Sequence, residues 1–134
     1  MGEKLPVDEY HELCENMRHY GNMRFAQLTL FTALTAGLLG AAASPPDDMP
    51  WLRLLLAVAG AVSALAFWVM ELRSSEYWRS FHDRAKELEE GLGYKQFRSG
   101  PGRPSGGLSA SRAVGALYWL AVAMWLVILY AQLR

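Results

Sequence analysis

The sequence has one cysteine, Cys14, in 134 residues, and it has no excess of charge of either sign. A single cysteine excludes an intrachain disulfide and a zinc site made of cysteines alone. Thirteen Lys and Arg residues balance thirteen Asp and Glu residues, so the formal net charge is zero. Proteins that bind nucleic acid through their overall charge are clearly basic, so we expect no nucleic-acid partner.

Charge is also nearly absent from three long runs, Phe25–Ala43, Trp51–Met70 and Ala113–Leu133, which together hold only Arg53. A helix needs roughly 20 apolar residues to cross a hydrocarbon layer about 30 Å thick. A soluble domain of this size could not bury three helices that are apolar on every face. The sequence therefore predicts an all-α integral membrane protein, with transmembrane helices at residues 25–43, 51–72 and 113–134.

The positive charges predict the orientation of these helices. Residues 73–112 hold eight Lys and Arg, whereas residues 44–50 hold none. Because Lys and Arg stay on the cytoplasmic side, we expect a cytoplasmic N-terminus and a C-terminus outside. The remaining segments are then a cytoplasmic amphipathic helix (1–24), an outer Pro-rich turn (44–50), a cytoplasmic helical extension (73–93) and a flexible Gly/Pro/Ser linker (94–112).

Two apolar stripes predict that the first two membrane helices continue into a cytoplasmic helical stalk. Each stripe has the 3, 4, 3 spacing of a coiled-coil seam. Because short isolated helices are marginal, the two stripes are too short to hold a two-helix pair alone, and burial of Trp78 and Phe81 needs more partners. We therefore expect identical copies of the chain to gather around these stripes as a homo-oligomer. The stripe residues are Tyr10, Leu13, Met17 and Tyr20 before the first span, and Trp78, Phe81, Ala85 and Leu88 after the second.

Small residues four apart in the first two spans indicate close helix packing. We favour packing within the hairpin of the first two spans, and contact between subunits is the alternative. The residues concerned are Ala33, Gly37, Gly40, Gly60 and Ala64.

Three polar residues of the first span, Gln27, Thr32 and Thr35, are candidates for lining a pore at the centre of an oligomer. The alternative is that each threonine bonds its own helix backbone and that Gln27 lies at the membrane interface. No ionisable residue lies deep in a span, which disfavours a proton-coupled pump.

No group of residues has the spacing of a catalytic or cofactor site. His11, Glu15 and His19 are successively four apart, but an exposed charged helix face explains them better than a metal site does. We therefore predict no catalytic residue, no metal and no cofactor, and we do not expect an enzyme.

The segments His19–Leu39 and Trp68–Gly93 resemble small bacterial inner-membrane proteins, in particular the RipA-type octameric membrane proteins. The resemblance implies a ring-like homo-oligomer with a cytoplasmic helical part, in a bacterial inner membrane. A more distant likeness is to the octameric membrane accessory protein of some RNA-targeting CRISPR systems. That protein has a wider Arg…His motif than Arg79 and His82 form here, which argues against RNA cleavage.

Two functions remain open at this point. The first is a homo-oligomeric ion channel or pore, for which the partners are other copies and the lipid bilayer. The second is a non-conducting scaffold or regulator that docks a cytoplasmic protein on its stalk, with Tyr94, Phe97 and Arg98 contributing to the docking surface.

Overall fold

The computed structural model describes residues 5–44, 49, 51–99 and 110–133, and these contain helices and turns but no strand. The helices are α1 (Pro6–Ala43), α2 (Trp51–Leu92) and α3 (Ala110–Leu133). Each of the three is long and apolar enough to cross a membrane. The predicted fold class, an all-α multi-pass membrane protein, is therefore confirmed.

Helices α1 and α2 run through the predicted membrane junctions without a break, because no proline interrupts either segment there. Helix α2 ends at Leu92, where Gly93 adopts a left-handed φ of 73° and donates its N–H to the carbonyl of Glu89 at 3.0 Å. Helix α3 begins at Ala110, three residues before the predicted span. Residues 45–48 and 50 of the predicted Pro-rich turn lie outside the described residues. The same is true of residues 100–109 of the predicted linker.

The chain divides into two units, which we describe separately. The membrane unit contains residues 25–44, 49, 51–72 and 110–133 of the described chain. The extramembrane unit contains residues 5–24 and 73–99. Each unit has its own buried cluster of side chains.

Aromatic side chains form the centre of the membrane unit. The rings of Phe31 on α1 and Tyr118 on α3 meet edge to face, with centroids 4.7 Å apart, and Phe67 of α2 lies 5.5 Å from Phe31. Such pairs add about 0.5–1.5 kcal/mol beyond the area they bury. The cluster therefore joins all three helices, and its other buried members are Ala64, Ala121 and Val122.

A groove of small residues on α2 receives the indole of Trp125. Ala57, Gly60 and Ala64 lie on one face of α2, and Trp125 is 0% exposed. A Cβ atom built on Gly60 would lie 2.2 Å from the indole ring, so only glycine allows this approach. Gly60, which we predicted to pack within the hairpin of the first two spans, thus packs against the third helix.

Substitution of Gly60 by alanine is expected to lower the thermal stability of the membrane unit. Alanine favours a helix over glycine by about 1 kcal/mol, but overpacking against a rigid indole costs roughly 1–3 kcal/mol. Gly115→Ala is the matched control, because nothing lies within 4 Å of its added Cβ. Thermal unfolding in detergent, followed by circular dichroism, should show a lower midpoint for Gly60→Ala only. An equal or higher midpoint for Gly60→Ala would contradict the close approach of Trp125.

Candidate functional site

The two predicted stripes pack against each other within one chain. Tyr10, Leu13 and Met17 of α1 form a buried cluster with Ala85 of α2. The remaining stripe residues, Tyr20, Trp78, Phe81 and Leu88, are half-buried, and the Tyr20 and Phe81 rings lie 5.5 Å apart. One chain therefore supplies both stripes, and whether further copies cover the half-buried residues stays a prediction.

A third element completes this cluster. We call residues 93–99, which follow α2, the capping segment. Its Phe97 packs on the cluster, and the Tyr10 ring lies 5.3 Å from Tyr94 and 6.2 Å from Phe97. The predicted flexible linker thus differs from the structure over residues 94–99, because these side chains cover the apolar end of the helix pair.

A buried carboxylate, that of Glu89, holds the capping segment. Glu89 is 1% exposed, and its Oε1 accepts the Tyr10 hydroxyl at 3.0 Å and the Phe97 N–H at 2.9 Å. Its Oε2 accepts the Arg98 N–H at 3.1 Å. Burial alone would raise the pKa of Glu89, but these bonds, with one from the Gln96 N–H, hold the pKa below its usual value. Glu89 therefore stays ionised and fixes three successive backbone amides.

The same arrangement keeps Tyr10 protonated. Burial raises the pKa of Tyr10 well above its usual value, and the neighbouring Glu89 and Cys14 raise it further. Tyr10 acts here as a hydrogen-bond donor to Glu89 rather than as an acid or a base.

His82 lies between two aromatic rings of the same unit. Its imidazole stacks on Trp78, with centroids 4.9 Å apart, and meets the Phe97 ring edge-on at 5.3 Å. Its Nδ1 is buried and has no hydrogen-bond partner among the described residues. Burial lowers the pKa of His82, and the positive charge of Lys86 lowers it further. His82 therefore favours its neutral form.

Ion pairs on the surface of the unit join its parts at little energetic gain. The Arg84 Nε lies 2.8 Å from a Glu9 oxygen and so links α2 to α1, and Arg98 lies 2.6 Å from Glu90. The Arg side chains are half exposed, and such pairs contribute about 0–1 kcal/mol. The Arg84–Glu9 pair connects α2 with α1, and the Arg98–Glu90 pair connects the capping segment with α2, but neither contributes much to stability.

An open cleft lies beside the capping segment. Tyr10 and His11 of α1 form one wall, and Gly93, Tyr94, Lys95 and Gln96 form the other. Among the described residues, no three His, Cys, Asp or Glu side chains lie close enough together to hold a metal ion. The cleft offers hydrogen bonds and aromatic contact to a ligand or a partner.

The candidate pore-lining residues lie in different environments. Gln27 is 9% exposed, and its Oε1 has no partner among the described residues. Thr32 is exposed and donates its hydroxyl to the Leu28 carbonyl at 2.8 Å, whereas Thr35 is half-buried. Gln27 therefore faces the interior of its own chain, and Thr32 faces outward.

The outward face of α1 in the membrane unit is made mainly of small residues. Ala33, Gly37 and Gly40 are exposed, and nothing lies within 4 Å of a Cβ built on either glycine. The exposed face of α2 carries larger side chains, among them Leu55 and Val62. The hairpin packing predicted for the α1 residues is thus absent from the described chain. We call the exposed residues Thr29, Thr32, Ala33, Ala36, Gly37 and Gly40 the small face of α1.

Sequence reasoning missed the residues that organise each unit. Glu89 follows Ala85 by four positions, so a carboxylate on the apolar stripe was the available signal. Trp125 offered no signal beyond its place in an apolar run. Glu71, which we did not single out, lies near the end of the predicted second span and is 3% exposed.

No protein-family model, no curated protein and no solved structure matches the chain.

Replacement of Glu89 by glutamine is expected to release the capping segment. A neutral amide accepts the backbone N–H groups more weakly, and hydrogen bonds to charged groups contribute about 1.5–3 kcal/mol. Trypsin cleavage after Lys95 and Arg98 should accelerate on the order of tenfold or more. Glu90→Gln, which removes only the exposed pair with Arg98, is the matched control and should change the rate little. Equal rates for the two variants would rule out the role of Glu89.

Acidification is expected to destabilise the extramembrane unit in two steps. The pKa of His82 is lower in the folded chain than in the unfolded chain, so as the pH falls the unfolded chain binds the imidazole proton first. The stability of the folded unit therefore falls as the pH drops below about 6.5. Because the pKa of Glu89 is lowered, its contribution is present above the ordinary carboxyl pKa and is lost as the pH falls through the folded value. Hydrogen-exchange protection factors of the Phe97 and Arg98 amides should fall from about pH 8 to about pH 5.5. In His82→Gln this first step should disappear, and its persistence would contradict the assignment.

Proposed function

We propose that the protein assembles in a cell membrane as a homo-oligomer through the small face of α1, and that the assembly encloses a pore for ions. The observation that carries this proposal is the composition of that exposed face. Residues that face lipid are usually large and aliphatic, whereas small residues allow two helix backbones to approach closely. The small face has the composition of a helix contact, and no described residue covers Gly37 or Gly40 on it.

Threonine hydroxyls on the same face support a polar path. Thr29 donates to the Phe25 carbonyl at 3.0 Å, as Thr32 does to Leu28. A hydroxyl that donates to its own helix still has lone pairs with which to accept hydrogen bonds from water. In a ring of copies with α1 innermost, these oxygens would line the axis without any ionisable group. Gln27 has no part in this path, because it is buried in its own chain.

The charge distribution supports the orientation that the proposal requires. The described extramembrane residues 73–99 hold six Lys and Arg: Arg73, Arg79, Arg84, Lys86, Lys95 and Arg98. Positive residues near the ends of membrane helices favour the cytoplasm. We propose that the extramembrane unit is cytoplasmic and that the C-terminus lies outside.

Cysteines on the small face are expected to cross-link between copies. In a Cys14→Ser background, Gly37→Cys should form a disulfide-linked dimer in the membrane, because the proposed contact brings two α1 backbones together. Val62→Cys, on the exposed face of α2, is the matched control and should stay monomeric under the same oxidant. Denaturing gels give the linked fraction. Equal linking at both positions would indicate random collision and contradict the proposed contact.

Liposomes that contain the protein are expected to pass small ions. Thr32→Val keeps the shape of the side chain and removes the pore-facing oxygen, so it should reduce the flux severalfold without changing the assembly. Ser63→Ala is the control, since Ser63 on α2 bonds the Ala59 carbonyl. Liposomes that contain the protein and release no ions under any tested condition would contradict a pore.

A docking scaffold is the second candidate function. The observation in its favour is the cleft beside the capping segment, where Tyr94 is 45% exposed beside Lys95 and His11. The extramembrane unit is complete within one chain, so it could present this surface without a ring of copies. Tight liposomes together with a stoichiometric soluble partner, lost on Tyr94→Ala, would favour the scaffold.

A further inference from the structure

Positive and negative charges are separated along α1 of the extramembrane unit, and basic residues outnumber acidic ones in the first part of α2 beyond the span. On α1, residues 18–24 hold Arg18 and Arg24 and no acidic residue, whereas residues 8–15 hold four acidic residues and no Lys or Arg. On α2, residues 73–79 hold Arg73 and Arg79 against Glu76 alone. The acidic residues that lie farther from the spans are Asp8, Glu9, Glu12 and Glu15 on α1, and Asp83, Glu87, Glu89 and Glu90 on α2, where Arg84 and Lys86 lie among them.

Arg18 and Arg79 lie equally far along their helices from the ends of the membrane unit, Phe25 and Leu72. Arg18 precedes Phe25 by seven residues, and Arg79 follows Leu72 by seven residues. At 1.5 Å per residue each lies about 10 Å along its helix from the membrane unit. An arginine side chain can extend from there toward the phosphate layer.

Two of these arginines have no carboxylate partner within the described part of the chain. Arg18 and Arg79 are exposed, and neither takes part in the ion pairs that Arg73, Arg84 and Arg98 form. The Arg73 pair with Glu76 is long, at 3.8 Å, and is exposed on both sides. The charges of Arg18 and Arg79 are thus left for an anion outside the described chain. We call residues 18–24 of α1 and 73–79 of α2 the layer that contains them.

Tyrosines occur in the same layer. The rings of Tyr20 and Tyr77 stack with centroids 5.6 Å apart, and Tyr77 is 51% exposed. Tyrosine is enriched at the level of lipid headgroups, where its ring is apolar and its hydroxyl is hydrated. The Tyr20–Tyr77 pair is therefore compatible with a position of this layer at a membrane surface.

We propose that Arg18 and Arg79 bind the phosphate groups of anionic phospholipids. Tyr20 and Tyr77 each lie two residues from one of these arginines. Guanidinium groups bind phosphate in a bidentate manner, and basic residues beside a membrane contribute about 1 kcal/mol each toward anionic lipid. The four acidic residues farther out on α1 would repel the same lipids, so on this helix anionic lipid is expected to bind near Arg18 rather than near Glu9. This proposal does not depend on a pore.

Lipid titration of the full chain in nonionic detergent tests the proposal. Native mass spectrometry should show phosphatidylglycerol bound in preference to phosphatidylcholine, and the preference should weaken as salt rises. The double variant Arg18→Gln/Arg79→Gln should bind phosphatidylglycerol about thirtyfold more weakly, which corresponds to about 1 kcal/mol for each arginine. Arg18→Lys/Arg79→Lys, which keeps both charges, should retain most of the preference.

The matched control removes two positive charges outside the layer. Lys86→Gln/Lys95→Gln has the same net charge as the arginine double variant and should bind phosphatidylglycerol as the unchanged protein does. Equal binding of the two lipids, equal loss in both Gln double variants, or an unchanged preference in Arg18→Gln/Arg79→Gln would overturn the proposal. Salt-insensitive binding by the unchanged protein would overturn it without any variant.

Discussion

Backbone amide and carbonyl groups find no water partner in the hydrocarbon of a membrane, so each must be satisfied within its own segment. This constraint accounts for the three uninterrupted helices of the chain. It also removes the hydrophobic effect as a force between helices, because lipid is as apolar as leucine. The association of helices in lipid then depends on how closely their surfaces fit together. Gly60 and Trp125 show this within one chain, where the absence of a Cβ admits a whole indole.

The extramembrane unit follows the opposite rule, because burial of apolar side chains drives its packing. Two stripes of α1 and α2 are too short to form a stable pair alone, and the capping segment supplies the missing cover. The backbone of the capping segment belongs to no helix or sheet, so its amide N–H groups need other hydrogen-bond acceptors. Glu89 provides such acceptors, and its burial is tolerated because at least three donors surround the carboxylate.

The sequence predicts the three spans and the two stripes, because the absence of charge and the 3, 4, 3 spacing are local signals. It does not predict the clamp at Glu89, since the donors come from an irregular segment whose path has no periodicity. Spacing of small residues identifies Gly60 as a contact but not its partner, which is Trp125 of the third helix. Gln27 and Thr32 look alike as polar residues of one span, yet they lie about 140° apart around a helix and meet different surroundings.

The central claim is that copies of the chain meet along the small face of α1 around a common axis. An electron-microscopy reconstruction of the particle in a lipid nanodisc tests it most directly. The account predicts a closed ring of several copies with α1 innermost and an opening on the axis. A particle with one copy, or a ring in which α2 or α3 lines the axis, would contradict it.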